Sequence, residues 1–364
     1  MEFTHNCSDG RAGDATYIGM PGATLFRAGV TRDFLKPDGT MGFPDIGLDL
    51  FAQAGVSWEF LPVSTAELRP EDVRDYDGLL VLAPKVTAAT LAGADRLKIV
   101  ARFGVGTDNV DVEACTRAGI VLTITPEGVR RPVAIAAITF LLALSHKLLI
   151  KDRLTRAGRW AEKLDHTGQG VTGRTLGILG LGNIGLEVAT LARPLGMSVV
   201  GHDPWADPAA AAAHQVTLLT LDDLLRRSDY LCVCCALSPE TRHLINAERL
   251  ATMKPTAYLI NVARGPIVDQ EALVDALRNG RLQGAGLDVF EQEPIDPRDP
   301  LLSLDNVILT PHAICWTDEC FGLNGRSAIT SLIDVARGRV PRHVVNRAAL
   351  AGARLRHLVP QENP

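Results

Sequence analysis

The 364-residue chain lacks any excess of positive charge, any complete cysteine motif for a metal and any apolar run of membrane length. Its 37 basic and 42 acidic side chains leave a net charge of −5, which argues against a nucleic-acid surface. The seven cysteines are Cys7, Cys115, Cys232, Cys234, Cys235, Cys315 and Cys320. None forms a C-x-x-C pair matched by a second pair or by histidines, so no metal site is expected. Their odd number, with no signal peptide, points to a reducing cytoplasm. Cys232, Cys234 and Cys235 fall in the apolar run Tyr230–Leu237 and read as small hydrophobes of a buried strand. The longest uncharged apolar run, Val133–Ser145, is too short to cross a bilayer and reads as a buried helix, so no membrane partner is expected. No internal repeat or low-complexity tract interrupts the chain. What remains is a composition 46% hydrophobic and 22% charged, ordinary for a globular protein with room for two domains.

Against that plain background one stretch stands out, Thr175–Asp203. A short apolar strand runs into Gly180-Leu181-Gly182-Asn183-Ile184-Gly185, a G-x-G-x-x-G turn. A helical pattern carrying Ile184, Val188 and Leu191 follows, and a second strand ends on Asp203. Gly180 permits the turn, Gly182 lets a pyrophosphate approach bare backbone, and Gly185 lets helix and strand pack closely. The helix start offers free N–H groups and a positive dipole end. Asp203 lies at the spacing of an acid that hydrogen-bonds an adenine ribose. A lone glycine turn is weak evidence; strand, turn, helix, strand and acid in sequence predict a dinucleotide site.

Before this unit, residues 1–22 show no periodicity and are expected to be a flexible leader. Strands are predicted at Ala23–Ala28, Val56–Leu61, Gly78–Ala83, Lys98–Phe103 and Ile120–Ile124. Helices are predicted over Asp45–Ala54, near Ala88–Leu91 and over Asp111–Arg117. Alternating strands and helices imply a parallel α/β layer. Pro126 and Gly128 mark a boundary, followed by a predicted long helix, Pro132–Leu149. After Asp203, strands are expected near Val216 and at Tyr230–Leu237, Ala257–Val262, Ala285–Val289 and Asn306–Leu309. Helices are expected at Leu221–Arg227 with Thr220 as N-cap, from Ser238 to about Lys254, at Gln270–Asn279 and at Thr317–Ala336.

Ligands of open parallel sheets bind beyond the carboxyl ends of the strands, where Arg264, Asp288 and His312 are placed, with Glu293 close behind. Beside a nicotinamide, an arginine holds a substrate carboxylate, a histidine moves the hydroxyl proton and a carboxylate orients the imidazole. Singly, each has a plainer reading: a surface ion pair for the arginine, a satisfied loop residue for the histidine. Their joint position on one edge of a cofactor sheet favours chemistry.

Gly180–Gly185, Asn261-Val262-Ala263-Arg264-Gly265, Gly286-Leu287-Asp288-Val289-Phe290 with Glu293-Pro294, and Thr310-Pro311-His312 resemble the D-isomer-specific 2-hydroxyacid dehydrogenases. The resemblance runs over residues 98–346. It implies an α/β fold of two Rossmann/flavodoxin-like domains with parallel sheets and an active cleft between them. It further implies a substrate domain of residues 23–125 and 315–346, an NAD-binding domain of residues 126–314, and a tail, 347–364. The implied function is hydride transfer between NAD(H) and a small 2-hydroxy or 2-keto acid. Carried over by motif, Arg264, Glu293 and His312 are catalytic, and the loop with Val105 and Gly106 binds the substrate carboxylate. Gly180, Gly182, Asn183, Ile184, Gly185, Asp203, Val262, Ala263, Arg264, Asp288 and His312 hold the cofactor. Asp203 followed by Pro204 and Trp205, with no arginine near, points to NAD rather than NADP. A homodimer is implied, through Val133–Leu149 and the arm around Trp160. Many relatives carry an asparagine near Val129 and an acid near Ile135, which this chain lacks; Arg130 and Arg131 are either substitutes or structural. Trp316 is either a pocket wall or core packing. The chain ends soon after Asn346, where an extra regulatory domain is not expected. An NAD-sensing corepressor-like binding protein and a phosphite dehydrogenase are the alternatives; a formate dehydrogenase would place glutamine at Glu293.

Overall fold

A computed structural model describes residues 26–360, so the expected leader lies outside the described residues. Among these residues the chain folds into two compact units. The first takes 26–42, 47–124 and 328–360, the second 43–46 and 125–327.

In the first unit the elements are β1 (Arg27–Val30), α1 (Asp49–Ala54), β2 (Ser57–Phe60), α2 (Pro70–Val73), β3 (Gly78–Val81), β4 (Ile99–Arg102), α3 (Val112–Arg117) and β5 (Val121–Thr123). The five strands pair in parallel in the order β2-β1-β3-β4-β5, a flavodoxin-like order. β3 is buried along its whole length, which is why it reads as a continuous apolar run rather than an alternating one. The predicted turn of helix near Ala88–Leu91 is a succession of tight turns, held by Thr87 and Thr90 hydroxyl bonds instead of a helical ladder.

In the second unit a helix, α4, spans Pro126–Ser145. The boundary read from Pro126 and Gly128 is therefore a helix start. Proline at the first helical position forfeits only a donor that has no intrahelical partner, while Pro132, the residue that looked like the start, lies within the helix. The helix stops before Lys147, whose φ of +51° is left-handed, and α5 (Leu148–Arg156) begins. Ala134, Ala137, Phe140, Leu141 and Leu144 of α4 join a core shared with Leu176, Ile178, Tyr230 and Ile260. Burial of each leucine, isoleucine or phenylalanine among them contributes roughly 1.5–3 kcal/mol.

The remaining elements are β6 (Thr175–Leu179), α6 (Asn183–Ala192), β7 (Ser198–His202), α7 (Pro208–Ala213), β8 (Thr217–Leu218), α8 (Leu221–Arg227), β9 (Tyr230–Val233), α9 (Ala247–Thr252), β10 (Tyr258–Asn261), α10 (Gln270–Arg278), β11 (Gly284–Leu287), β12 (Val307–Leu309) and α11 (Asp318–Ala336), whose residues from 328 onward belong to the first unit. Thr220 caps α8 by accepting the Asp223 N–H. The helix expected from Ser238 begins only at Ala247. Ser238 and Thr241 instead close a local turn through their hydroxyls, and Asn246 caps the short α9. The seven strands are all parallel, in the order β12-β11-β10-β9-β6-β7-β8. This is the dinucleotide-binding order with one added strand, and its direction of winding reverses between β6 and β9. Parallel pairing puts every strand's carboxyl end on one edge.

Candidate active site

The glycine-rich turn leaves that edge at the crossing point between β6 and β9. Gly180 has φ of +96°, and a side chain there would meet the Cys235 backbone at 2.5 Å. Gly185 sits so close to the strand that a Cβ would lie 2.1 Å from the Gly180 carbonyl oxygen. Around Gly182, by contrast, nothing lies within 4 Å of where a Cβ would stand. Gly182 is the N-cap of α6, with Asn183 and Ile184 in its first turn. Open space before the bare N–H groups of a ten-residue helix suits a pyrophosphate, so the residues fit a dinucleotide. Asp203 follows β7; its Oδ2 accepts the Leu181 N–H at 2.8 Å and its Oδ1 the Trp205 N–H at 2.9 Å. Two bonds fix the carboxylate while leaving further lone pairs for ribose hydroxyls.

Further along the same edge, β10 ends in Asn261, which is buried. Its side-chain oxygen accepts the Ala263 N–H and its amide donates to the Arg264 carbonyl, both at 3.0 Å. This staple shapes the turn Val262–Ala263–Arg264. Gly265 follows because a Cβ there would lie 1.9 Å from the Phe290 carbonyl. Arg264 Nη1 donates to the Ala263 carbonyl at 2.7 Å.

Asp288 follows β11 and is 4% exposed. One oxygen, Oδ1, accepts the Thr310 hydroxyl at 2.6 Å, the Ala313 N–H at 2.8 Å and the Ile314 N–H at 3.1 Å. Burial pushes its carboxyl above the ordinary value despite these bonds. Asp288 thus pins the loop that carries His312 from both sides. His312 itself has φ of +54°, a left-handed backbone that histidine tolerates better than most residues. Its Nδ1 lies 2.8 Å from Glu293 Oε2, and Glu293 Oε1 accepts the Phe290 N–H at 3.0 Å. Burial opposes ionisation of Glu293. The His312 hydrogen bond, the Phe290 N–H and the charges of His312 and Arg264 outweigh it and hold the carboxyl below its usual 4.5. With Nδ1 given to Glu293, Nε2 is the imidazole nitrogen available for proton transfer.

The second unit therefore brings Arg264, Asp288, Glu293 and His312 together on the edge that carries the glycine turn. Val105 and Gly106 belong to the first unit, in the turn after β4. There Gly104 has φ of +126°, and the Asn109 amide ties the loop to the carbonyls of Leu82, Ala83 and Pro84. Asn109, Asn261 and Thr310 carry positioning work that no sequence reading assigned. The available signal was an asparagine or threonine at a strand end or within a turn. Arg130 and Arg131 both pair with Glu187 of α6, at 3.6 and 2.5 Å, which favours the structural reading of that segment. Trp316 packs edge-on against Phe43 and Phe321 yet stays half exposed.

A dinucleotide turn at the sheet's crossing point and a histidine–carboxylate pair beyond neighbouring strands of the same edge make a nicotinamide-linked oxidoreductase. Comparison with known proteins narrows the class. Residues 138–313 match the NAD-binding domain of the D-isomer specific 2-hydroxyacid dehydrogenases. The chain is 40% identical over 300 residues to glyoxylate reductase of Thermococcus onnurineus, covering 80% of this chain and 90% of that protein. A solved protein from Thermus thermophilus superposes with a TM-score of 0.77 at 34% identity, over 88% of this chain and all of that one. D-lactate dehydrogenase from Aquifex aeolicus, solved with NAD and lactic acid, gives a TM-score of 0.75 at 26% identity, over 88% of this chain and 99% of its own. The chain belongs to the D-isomer-specific 2-hydroxyacid dehydrogenase family. It is an NAD-dependent enzyme of D-2-hydroxyacid oxidoreduction, acting on CH–OH donors.

Proposed function

We propose that this enzyme reduces a small 2-keto acid, of the size of glyoxylate or hydroxypyruvate, with Arg264, Glu293 and His312 as its catalytic residues. The observation that carries the reading is the 2.8 Å bond between His312 Nδ1 and Glu293 Oε2, formed in the field of Arg264. NADH, when bound along Gly180–Gly185 and Asp203, supplies the hydride for the carbonyl carbon. Arg264 grips the substrate carboxylate through its guanidinium fork. Protonated His312 hydrogen-bonds the carbonyl oxygen through Nε2 and delivers its proton there as negative charge develops. Glu293 stays ionised, holds the ring in register and stabilises the charged imidazole. Oxidation of the hydroxy acid runs the same proton back to His312. Asp288 acts through the loop it pins, and Val262 and Ala263 line the nicotinamide. The glyoxylate reductases among the relatives support a short substrate.

The reading extends to a cytoplasmic homodimer. The six described cysteines are free thiols, as a reducing compartment favours. The second unit exposes Ile135, Leu148, Leu149, Trp160 and Leu164, apolar surface of the kind a partner copy covers. Sizing chromatography checks this: a monomeric elution volume rules the dimer out.

Purified protein mixed with NADH and a panel of 2-keto acids should oxidise the cofactor with at least one short acid. Tight NADH binding with no consumption by any of them contradicts the proposal. Replacing Asp203 with Ser should narrow the preference for NADH over NADPH, and an unaltered ratio of kcat/KM values would remove the ribose role.

A further inference from the structure

The chain has four tryptophans, and three of them have a partner for the ring. Trp58 stacks on Phe51, Lys163 stands over Trp160, and Trp316 packs edge-on against Phe43 and Phe321. Trp205 has no such partner among the described residues and is 93% exposed, more than any other large apolar side chain among them. A single exposed aromatic is ordinary in itself, but the backbone that carries this one is fixed. Pro204 has a locked φ, the Ala206 N–H donates to the Asp203 carbonyl at 3.2 Å, and Ala206 packs against the buried cluster that holds Leu181 and Val199. The Trp205 N–H donates to Asp203 Oδ1 at 2.9 Å, while Oδ2 of the same carboxylate accepts the Leu181 N–H of the glycine turn at 2.8 Å. One carboxylate therefore sets the glycine turn and Trp205 in a single frame.

The bonding of the cofactor says what meets the indole. The adenine base is attached directly to the ribose whose hydroxyls Asp203 is placed to accept, so base and indole are both tied to that carboxylate. Strand β6 lies between β7 and β9, and Gly180 beyond its end sits so close to the chain after β9 that a Cβ would lie 2.5 Å from the Cys235 nitrogen. The glycine turn is thus the floor of a groove, with the Trp205 turn on one side and the chain after Cys235 on the other.

We propose that Trp205 covers one face of the adenine ring of bound NAD(H) and so sets the affinity for the adenine half of the cofactor. Stacking of a base on an aromatic ring needs only the π-face of the base. The indole therefore supplies affinity to NADH and NADPH alike, while Asp203 supplies the choice between them. The placement rests on Asp203 as the ribose acid and not on the keto acid chemistry.

ADP-ribose, the cofactor without its nicotinamide, tests this on the full chain. Titrating it should quench part of the tryptophan emission; Trp205→Leu should remove that part and Trp58→Phe should keep it. Trp205→Leu should weaken ADP-ribose about fivefold or more, raise KM for both cofactors with their ratio kept, and leave the melting temperature unchanged, as expected of so exposed a side chain. Trp205→Phe, which keeps an aromatic face, should restore most of the affinity. An unchanged ADP-ribose affinity in Trp205→Leu overturns the proposal, as does a quench that persists in it. A smaller size for Trp205→Leu in sizing chromatography also overturns it, because the indole then faces a second copy. If Asp203→Ser leaves the preference for NADH over NADPH unaltered while Trp205→Leu still loses ADP-ribose, the ribose role of Asp203 fails and the stack stands. Neither titration requires turnover of a keto acid, so failure of the enzymatic reading is told apart from failure of this one.

Discussion

The turn Glu291–Gln292–Glu293 carries two histidine–carboxylate pairs that look alike. His312 Nδ1 meets Glu293 at 2.8 Å, and His243 Nε2 meets Glu291 at the same distance. Both histidines have left-handed backbone, with φ of +54° and +49°, and both are nearly half exposed. What differs is the surroundings. Glu293 also takes the Phe290 N–H and feels the charge of Arg264, while His312 rides a loop pinned by buried Asp288 beyond β12. Glu291 takes the Gln270 N–H at the start of α10, and His243 donates its own N–H to the Pro266 carbonyl. On the proposed mechanism, His312 serves as acid–base catalyst because Arg264 and the cofactor edge lie beside it, and His243, which has neither, does not.

Substitutions at the two pairs and at Arg264 should differ widely in effect. His312→Ala should lower kcat by about 10²–10⁴-fold and leave NADH affinity unchanged, read by steady-state rates and cofactor fluorescence titration. Arg264→Lys keeps the charge but loses the planar fork, so kcat/KM for the keto acid should fall by about 10–100-fold, chiefly through KM. Glu293→Gln should cost about tenfold in kcat, and it also has a pH signature. The folded carboxyl titrates below 4.5, so its attraction for His312 is complete above that value and is lost as pH falls through the lower folded value. A pH–rate profile should show this acid limb in the wild type and lack it in the variant. At the bottom of the scale, His243→Ala should change kcat by less than about twofold and stability by about 0–1 kcal/mol, as expected of an exposed pair, measured by denaturant melts.

Much of this was legible in the residues. Buried parallel strands announce themselves as unbroken apolar runs, so β3, β9, β10 and β11 fell where the runs were. The glycine turn and the acid after β7 were legible because each residue meets a backbone constraint that few others satisfy. Helix limits were harder. Two prolines six residues apart both suit a helix start, and nothing local said that the first wins at Pro126 and that Lys147 breaks the helix into two. Arg264, Glu293 and His312 stand out in the sequence by residue type and place after a strand; the side chains that hold their turns, Asn261 and Thr310, do not. Asp288 reads as a ligand for the cofactor; in the fold, three of its chain's own donors converge on one of its oxygens. No motif in the sequence marks His243 and Glu291 as a pair; the fold brings them together at 2.8 Å beside the start of α10.

On the proposed mechanism, position on the cofactor edge, and not the pairing itself, makes His312 the proton donor. Single-turnover oxidation of saturating NADH by a keto acid, compared between His312→Ala and His243→Ala at neutral pH, tests it directly. A loss of at least about 100-fold is expected in the first and wild-type rates in the second. Equal losses in both, or an unimpaired His312→Ala, would contradict it.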